Sequence, residues 1–176
     1  DGEEYPIYTE ELCGKMRFLV QEASVITPNL TEALLLLYGR EKAHTEWKNL
    51  RHLSEKEHLS EVEKIGQQLT GQFQVEAVIT GVSILSEKGE TLMGNLICQK
   101  DSQTWITTRK EGGSYSGTGD LFASVLCGGM VKGMDTVATV QKAVTFISKG
   151  IHDAVEEGTD RNEGICFETY LHELAK

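Results

Sequence analysis

Apolar residues recur at helical spacing in six segments of the chain, and short runs rich in β-branched residues lie between several of them. The helical spacing predicts helices over residues 9–23, 31–38, 60–69, 120–131, 136–155 and 167–174. The extended runs predict strands over residues 24–27, 75–79, 91–99 and 104–109, with the last two forming a hairpin. The charged stretch 41–64 is typical of solvated helix or loop. Strands that alternate with helices predict an α/β domain with a mostly parallel sheet.

The ends of the predicted strands direct attention to three short segments. In open α/β sheets, ligands bind where the carboxyl ends of strands lead into helices. The segments at such positions are Thr27–Asn29, Thr80–Gly81 and the glycine-rich loop that precedes Asp120. Chemistry is therefore expected at these segments.

The glycine-rich loop ends in Gly117–Gly119, and a predicted helix of small and apolar residues begins at Asp120. Glycines let the backbone approach a ligand closely, and the amides at a helix N-terminus favour an anion. Gly117, Thr118 and Gly119 are thus candidates to hold a phosphate. Asp120, in the first helical turn, can accept a proton from an alcohol. The local pattern is equally compatible with an Asp120 that only caps the helix.

A second candidate group precedes the helix predicted over residues 31–38. Asn29 and Glu32 are three residues apart, and an amide oxygen with a carboxylate suits a hydrated Mg²⁺. The same spacing is typical of a capping box, which the local pattern favours. Thr80–Gly81 offers a hydroxyl and a bare backbone that could contact a phosphate or a ribose, although a simple turn explains it equally well.

Length and composition favour one globular domain. The chain has 176 residues, of which 39% are hydrophobic and 25% charged, so residues 1–176 are expected to form a single domain. With 17 basic and 27 acidic residues the net charge is −10, which argues against general nucleic-acid binding. No apolar run is long enough to span a bilayer, and no secretory signal opens the sequence. We expect further sequence upstream of Asp1.

The cysteines indicate a reducing setting rather than a metal site. Cys13, Cys98, Cys127 and Cys166 are widely separated, with no C-x-x-C pair, so a zinc site is not expected. Cys98 and Cys127 have apolar neighbours in sequence and are predicted to be small core residues. A cytoplasmic location fits this cysteine usage best.

Taken in order, three motifs resemble the ribokinase-like superfamily of small-molecule kinases. They are Thr27–Glu32 (Thr-Pro-Asn-Leu-Thr-Glu), a strand ending in Thr80, and Gly117–Phe122 (Gly-Thr-Gly-Asp-Leu-Phe). Within it, the chain is most similar to the pyridoxal (pyridoxine, pyridoxamine) kinases. The opening Asp1–Pro6 and the closing Gly164–Leu171 also resemble that branch. The resemblance spans nearly the whole chain and implies a Rossmann-like, three-layer αβα fold, of which the chain holds the C-terminal, nucleotide-binding part.

The resemblance also implies roles for the phosphate-loop residues. Asp120 would be the catalytic base that deprotonates the 5′-hydroxymethyl group of the vitamin. Gly117, Thr118 and Gly119 would form the anion hole for the γ-phosphate of ATP. These roles fit phosphoryl transfer, which depends on positioning and charge neutralisation.

Further roles follow from the same resemblance. Asn29 and Glu32 would order Mg²⁺ through water. Thr80 and Gly81 would contact ATP, with Thr27 and Tyr5 as further nucleotide-site candidates. The resemblance implies a homodimer and allows K⁺, for which no ligands are assigned.

Two alternatives to a B6-vitamer kinase stay open. The related hydroxymethylpyrimidine (phosphate) kinases share the Pro-Asn-x-x-Glu and Gly-Thr-Gly elements, although some have Cys where this chain has Asp120. A protein of the same fold that binds a nucleotide without catalysis is the other alternative. Asp120, together with Leu121 and Phe122, favours the pyridoxal branch.

Overall fold

A computed structural model describes residues 9–175, and the chain divides between Thr107 and Thr108 into two compact units. The elements of the first unit are α1 (Glu10–Val20), β1 (Val25–Ile26), α2 (Leu30–Tyr38), α3 (Arg40–Leu50), α4 (Glu55–Phe73), β2 (Glu76–Leu85), β3 (Thr91–Cys98) and most of β4 (Gln103–Arg109). The elements of the second unit are α5 (Thr118–Val131), α6 (Thr136–Glu157), a 3₁₀ turn (Glu168–Tyr170) and α7 (Leu171–Leu174). The α/β class expected from the sequence is confirmed, while the single domain stays a prediction.

The described strands form one sheet in the order β1-β2-β3-β4. β1 pairs parallel to β2, with Val25 opposite Glu76. β2 pairs antiparallel to β3, from Ala77 opposite Cys98 to Leu85 opposite Thr91. The predicted parallel pairing is thus found at β1–β2, whereas β2–β3 departs from it. The reason is the five-residue connection 86–90, which is too short for the crossover that parallel neighbours need.

The connection between β3 and β4 is equally short. Gln99 N–H donates to the Ser102 carbonyl over 2.9 Å, which closes the turn between these neighbouring strands. A four-residue connection joins adjacent strands only as an antiparallel hairpin. The hairpin predicted from residues 91–109 is therefore confirmed.

The core of the first unit lies between the sheet and its helices. Leu34 of α2, Leu69 of α4, and Ile79 and Leu96 of the sheet are fully buried in one cluster. The charged stretch 41–64, predicted to be solvated, forms α3 and the first half of α4. It contributes Val62 to this cluster, because an amphipathic helix can bury one face while its charged face stays in water.

The second unit is built on α6. The apolar face predicted for residues 136–155 is buried, and includes Val140, Ala143 and Val144. α5 begins at Thr118, two residues before the predicted start, and buries Phe122 and Leu126. Cys98 is a buried core residue as predicted, but Cys127 is exposed, so the prediction for Cys127 is wrong. Being next to Leu126 in α5, Cys127 lies about 100° around the helix from that buried position.

Candidate functional site

The candidate residues fall into two groups, one in each unit, and the first group lies at the start of α2. Asn29 is the N-cap residue, and its side-chain oxygen accepts from the Glu32 amide over 2.9 Å. The Glu32 carboxylate in turn accepts from the Asn29 amide over 2.9 Å. The two residues therefore form the capping box that the local pattern favours. This fixes both side chains at the mouth of the helix.

Thr80 lies beside this helix start. A parallel bridge pairs Asn29 with Thr80, and the Thr80 amide donates to the Pro28 carbonyl over 2.9 Å. The sequence predicts a strand that ends at Thr80, but β2 continues to Leu85. The pairing with β3 shifts between Ile79 and Val82, and Gly81 has φ of +74°. Thr80–Gly81 is therefore a bulge inside a long strand rather than its end, a feature often found beside active sites.

Asn29, Glu32, Thr80 and Gly81 are thus brought together, as the sequence predicts. Thr27 lies in the short connection between β1 and α2, two residues before Asn29, and is half-buried. Thr27 and Glu32 border a cavity of about 310 Å³ whose other walls are mostly apolar, including Met16, Val20 and Leu35. An apolar cavity does not suit a phosphate, so any phosphate contact of this group is expected on the Thr80 side.

The donor set of this group fits a hydrated Mg²⁺. Glu32 Oε2 and Asn29 Oδ1 each accept one backbone amide. Within residues 9–175, Glu32 Oε1 has no hydrogen-bond partner, so one carboxylate oxygen is available for a metal-bound water. No cluster of three or more His, Cys, Asp or Glu side chains in that range could hold a metal ion alone. The pair therefore suits Mg²⁺ that keeps waters and phosphate oxygens as its other ligands.

The second group lies at the start of α5. Gly117 is its N-cap residue in the left-handed conformation, with φ of +80°, and makes no side-chain cap. The Thr118 hydroxyl donates to the Tyr115 carbonyl over 3.0 Å, which holds it against the loop. Because the first amides of a helix lack partners within it, the amides of Gly117–Gly119 are available to an anion. A Cβ built on Gly117 or Gly119 meets nothing within 4 Å, so the space there is open.

Asp120 is the third residue of α5 and its side chain is exposed. No side-chain hydrogen bond or ion pair to another residue of the described range engages it. The positive end of the helix favours a carboxylate at this position. Its exposure and its unengaged oxygens suit a group that accepts a proton from a bound alcohol. Capping, the alternative role, would need a hydrogen bond to a helix-start amide, and none is made.

The loop before α5 contains residues that sequence reasoning missed. Tyr115 is buried at 7% exposure and anchors the loop. The Glu111 carboxylate accepts a hydrogen bond from Nδ1 of His152 in α6 over 2.9 Å. The hydrogen bond to Glu111 and the Glu111 charge raise the pKa of His152 above 6.5. Glu111 and His152 are 41 residues apart and share no motif, so no local pattern predicts this pairing.

Tyr5, the remaining nucleotide-site candidate, lies outside the described residues. Within the described range, no helix combines the length and apolar character that crossing a membrane requires.

One described protein family matches this chain over most of its length. The phosphomethylpyrimidine kinase family matches residues 2–164, which is most of the chain. This chain belongs to the phosphomethylpyrimidine kinase family. No curated protein matches it at a significant level.

Solved structures place this member of the phosphomethylpyrimidine kinase family beside pyridoxal kinases. A proposed phosphomethylpyrimidine kinase of Bacteroides thetaiotaomicron, crystallised with pyridoxal, is 29% identical with a TM-score of 0.78, over 100% of this chain and 57% of that one. Pyridoxal kinase of Lactobacillus plantarum is 25% identical with a TM-score of 0.78, over 98% of this chain and 56% of that one.

Pyridoxal kinase of Leishmania donovani, in complex with ADP and ginkgotoxin, shares the fold at 21% identity, with a TM-score of 0.69 over 99% of this chain and 55% of that one. The chain therefore spans a little over half the length of these relatives. The ribokinase-like kinase fold expected from the motifs is confirmed, and the resemblance to pyridoxal kinases is borne out.

Proposed function

We propose that this protein transfers the γ-phosphoryl group of ATP to the 5′-hydroxymethyl group of pyridoxal, pyridoxine or pyridoxamine. The observation that carries the proposal is the start of α5, where an exposed Asp120 follows the open, uncapped turn Gly117–Gly119. The family match and the similarity to a pyridoxal kinase support it. The relative crystallised with pyridoxal supports the choice of a B6 vitamer.

In the proposed reaction, the vitamin's hydroxyl oxygen attacks the γ-phosphorus as the bond from that phosphorus to the bridging oxygen of ADP breaks. The hydroxyl proton passes to the Asp120 carboxylate, so that no charged oxonium has to form. The reaction needs little covalent chemistry from the protein, and depends on alignment of the alcohol with the phosphoryl group. Asp120 supplies both the base and part of that alignment.

The turn Gly117–Gly119 is proposed to hold the transferring phosphoryl group. Three successive amides at a helix N-terminus can donate to its equatorial oxygens, where negative charge lies during transfer. A left-handed Gly117 aims these amides outward, a conformation that other residues rarely adopt. Backbone donors need no reorganisation during the reaction, which makes them effective in stabilising the transition state.

Mg²⁺ would neutralise charge on the ATP phosphates when bound. We propose that Asn29 and Glu32 position it through water, with Glu32 Oε1 as the available acceptor. These residues lie at the N-terminus of α2, which carries a partial positive charge. That charge repels Mg²⁺, so contact through a water molecule is favoured over direct ligation of the ion. The capping box keeps the two side chains fixed for this role.

The remaining nucleotide contacts are proposals that rest on the family. Thr80 and Gly81 would contact the ATP phosphates, and the bulge in β2 would present the Thr80 hydroxyl. Thr27 and Tyr5 are further candidates. A kinase of the same fold that binds ADP supports ATP as the co-substrate. A homodimer and a K⁺ site are proposed on the family resemblance alone, and a cytoplasmic location on the cysteine usage.

The second candidate function is phosphorylation of hydroxymethylpyrimidine or its phosphate. The family match itself favours it, because the family is described by that activity. B6 vitamers and hydroxymethylpyrimidine all present a primary alcohol on a heteroaromatic ring, so the α5 arrangement serves either alcohol. Hydroxymethylpyrimidine phosphate would instead present a phosphate oxygen as the acceptor. The choice depends on residues that contact the ring.

The test is a substrate panel on the purified protein with MgATP. ADP release is followed by a coupled assay with pyridoxal, pyridoxine, pyridoxamine, hydroxymethylpyrimidine and its phosphate, and kcat/KM values are compared. A B6 vitamer is expected to give the highest value. A higher value for a pyrimidine would move the assignment to the second candidate. MgATP binding without transfer to any of the five would identify a nucleotide-binding protein without catalysis.

A further inference from the structure

Arg161 lies in the turn that follows α6, and this turn is held in place at both ends. Thr159 N–H donates to the Ala154 carbonyl over 2.9 Å, where α6 ends. Cys166 N–H donates to the Gly150 carbonyl over 3.2 Å, one turn earlier in the same helix. Such hydrogen bonds to a packed helix leave the segment between them little freedom. Arg161 is therefore presented from a fixed backbone.

The same turn is joined to the loop that leads into α5. The Ser116 amide donates to the Arg161 carbonyl over 2.9 Å, and Ser116 directly precedes Gly117. The Arg161 guanidinium lies on Gly113. A Cβ built there would be 2.3 Å from Cζ and 2.6 Å from both Nη atoms. These nearly equal distances mean that the face of the guanidinium covers Gly113, so its N–H edges are directed elsewhere.

Those N–H edges have no acceptor in the described part of the chain. Arg161 is exposed, and its side chain makes no hydrogen bond or ion pair there. Asp160, the preceding residue, accepts the Asn162 amide over 2.8 Å, and Glu111 contacts His152. A guanidinium that is ordered by stacking, yet unpaired, suits a ligand with several anionic oxygens.

We propose that Arg161 is a nucleotide-binding residue that donates from its N–H edge to the polyphosphate of ATP. The proposal rests on the proposed function, since it assumes that the phosphates are held at the turn Gly117–Gly119. The chain has a net charge of −10, so a polyphosphate needs a local cation to offset repulsion. Because the contact would exist before and during transfer, it belongs to binding rather than to the chemical step.

The test compares Arg161→Ala, Arg161→Gln and Arg161→Lys with the unaltered protein. Binding of MgATP, ADP and adenosine is measured by calorimetry or by competition, at low and high salt. Arg161→Ala and Arg161→Gln are expected to weaken MgATP binding about 10- to 100-fold. They should leave adenosine binding unchanged and reduce the salt dependence of MgATP binding. Arg161→Lys should bind MgATP more tightly than Arg161→Ala but less tightly than the unaltered protein. It keeps the positive charge but lacks the paired N–H donors of the guanidinium. The KM for ATP should rise with little change in kcat.

Arg51→Ala is the matched control, because Arg51 is an exposed arginine after α3 that no proposal involves. Gly113→Ala is a second route to the same effect, since its Cβ would displace the guanidinium while the charge is kept. Equal losses for adenosine and MgATP would show that Arg161 only holds the loop, and would overturn the proposal. Unchanged MgATP binding in all Arg161 variants would overturn it too, with the proposed function intact. If the unaltered protein binds no MgATP, the proposed function fails first.

Discussion

Asn29 and Thr80 face each other across a parallel bridge, in which the Thr80 amide donates to the Pro28 carbonyl. Asn29 is a candidate for ordering Mg²⁺ and Thr80 for contacting a phosphate. Their adjacency means that a metal-bound phosphate could reach both residues, as ATP with Mg²⁺ would require. Two weak local patterns, 51 positions apart in sequence, thus coincide in one place.

The first prediction separates the metal role of Glu32 from its capping role. A capping box accepts Gln as well as Glu at this position, so Glu32→Gln should leave the free energy of unfolding nearly unchanged. The loss of the carboxylate should weaken Mg²⁺ binding in the presence of ATP by about 10- to 100-fold. Magnesium titration of activity, with denaturant unfolding alongside, measures both effects.

The variant that weakens the capping box itself is Asn29→Ala. It removes the side-chain acceptor for the Glu32 amide and should lower the free energy of unfolding by about 0.5–2 kcal/mol. If Glu32→Gln leaves the magnesium dependence unaltered, Glu32 serves only the helix, and another residue must order the metal.

The second prediction concerns Asp120 as the base. Asp120→Asn should lower kcat by about 10²- to 10⁴-fold, because the amide cannot accept the hydroxyl proton. MgATP binding should be largely kept, since Asp120 is exposed and makes no side-chain hydrogen bond in the described range. Single-turnover kinetics and calorimetry give the two values. Asp101→Asn, in the turn between β3 and β4, is the control, and near-normal turnover by Asp120→Asn would remove Asp120 from the role of base.

The third prediction concerns the backbone of Gly117. An L side chain in the left-handed conformation is disfavoured, so Gly117→Ala should lower the free energy of unfolding by about 1–2 kcal/mol and weaken MgATP binding. Gly128→Ala is the contrasting variant. Gly128 lies within α5, away from its first turn and on its exposed side, where a Cβ meets nothing within 4 Å. That change should raise stability by up to about 1 kcal/mol.

Urea unfolding of the two variants measures this contrast. Equal stability of Gly117→Ala and the unaltered protein would mean that the turn relaxes to another conformation. The anion-binding role of Gly117 would then depend on whether MgATP affinity is also retained.

The sequence predicted the parts of the site that depend on local rules. Glycine before a helix, and Asn followed three residues later by Glu, act through neighbouring atoms, so spacing predicts the helix starts at Gly117–Asp120 and Asn29–Glu32, while their proposed roles rest on the resemblance. The sequence predicts a strand end at Thr80–Gly81, where the structure has a bulge, because a glycine after a β-branched run is typical of both. The pairing of β2 with β3, which shifts between Ile79 and Val82, makes this segment a bulge rather than a strand end. Such pairing depends on residues distant in sequence.

Other features have no local signal at all. Cys127 has apolar neighbours in sequence, yet the face it occupies on α5 depends on which side of that helix is packed. Arg161 and Gly113 meet because the turn after α6 returns to the loop before α5. Contacts of this kind follow from tertiary packing, so spacing rules cannot predict them.

The last prediction concerns the pair of Glu111 and His152. The hydrogen bond to Glu111 and the Glu111 charge raise the pKa of His152 above 6.5. The His152 imidazole therefore binds its proton more tightly in the folded state than in the unfolded state. The contribution of protonated His152 to folding stability is therefore fully present below about pH 6.5. It is lost as the pH rises through the raised pKa of the folded state. Glu111→Gln should lower the pKa of His152 toward 6.5, and should lower Tm at about pH 6 but not at about pH 9. Because the pair is exposed, added salt should reduce the difference.

NMR titration of the His152 ring protons gives the pKa directly, and thermal unfolding at the two pH values gives the linked change in stability. Glu87→Gln, in the turn between β2 and β3, removes one carboxylate elsewhere and should leave the His152 titration unaltered. Asp153 and Glu156 on α6 also raise the pKa of His152, so a small excess over 6.5 should persist after Glu111→Gln. An unchanged titration in Glu111→Gln would mean that these α6 carboxylates, and not the contact with the loop before α5, set the pKa.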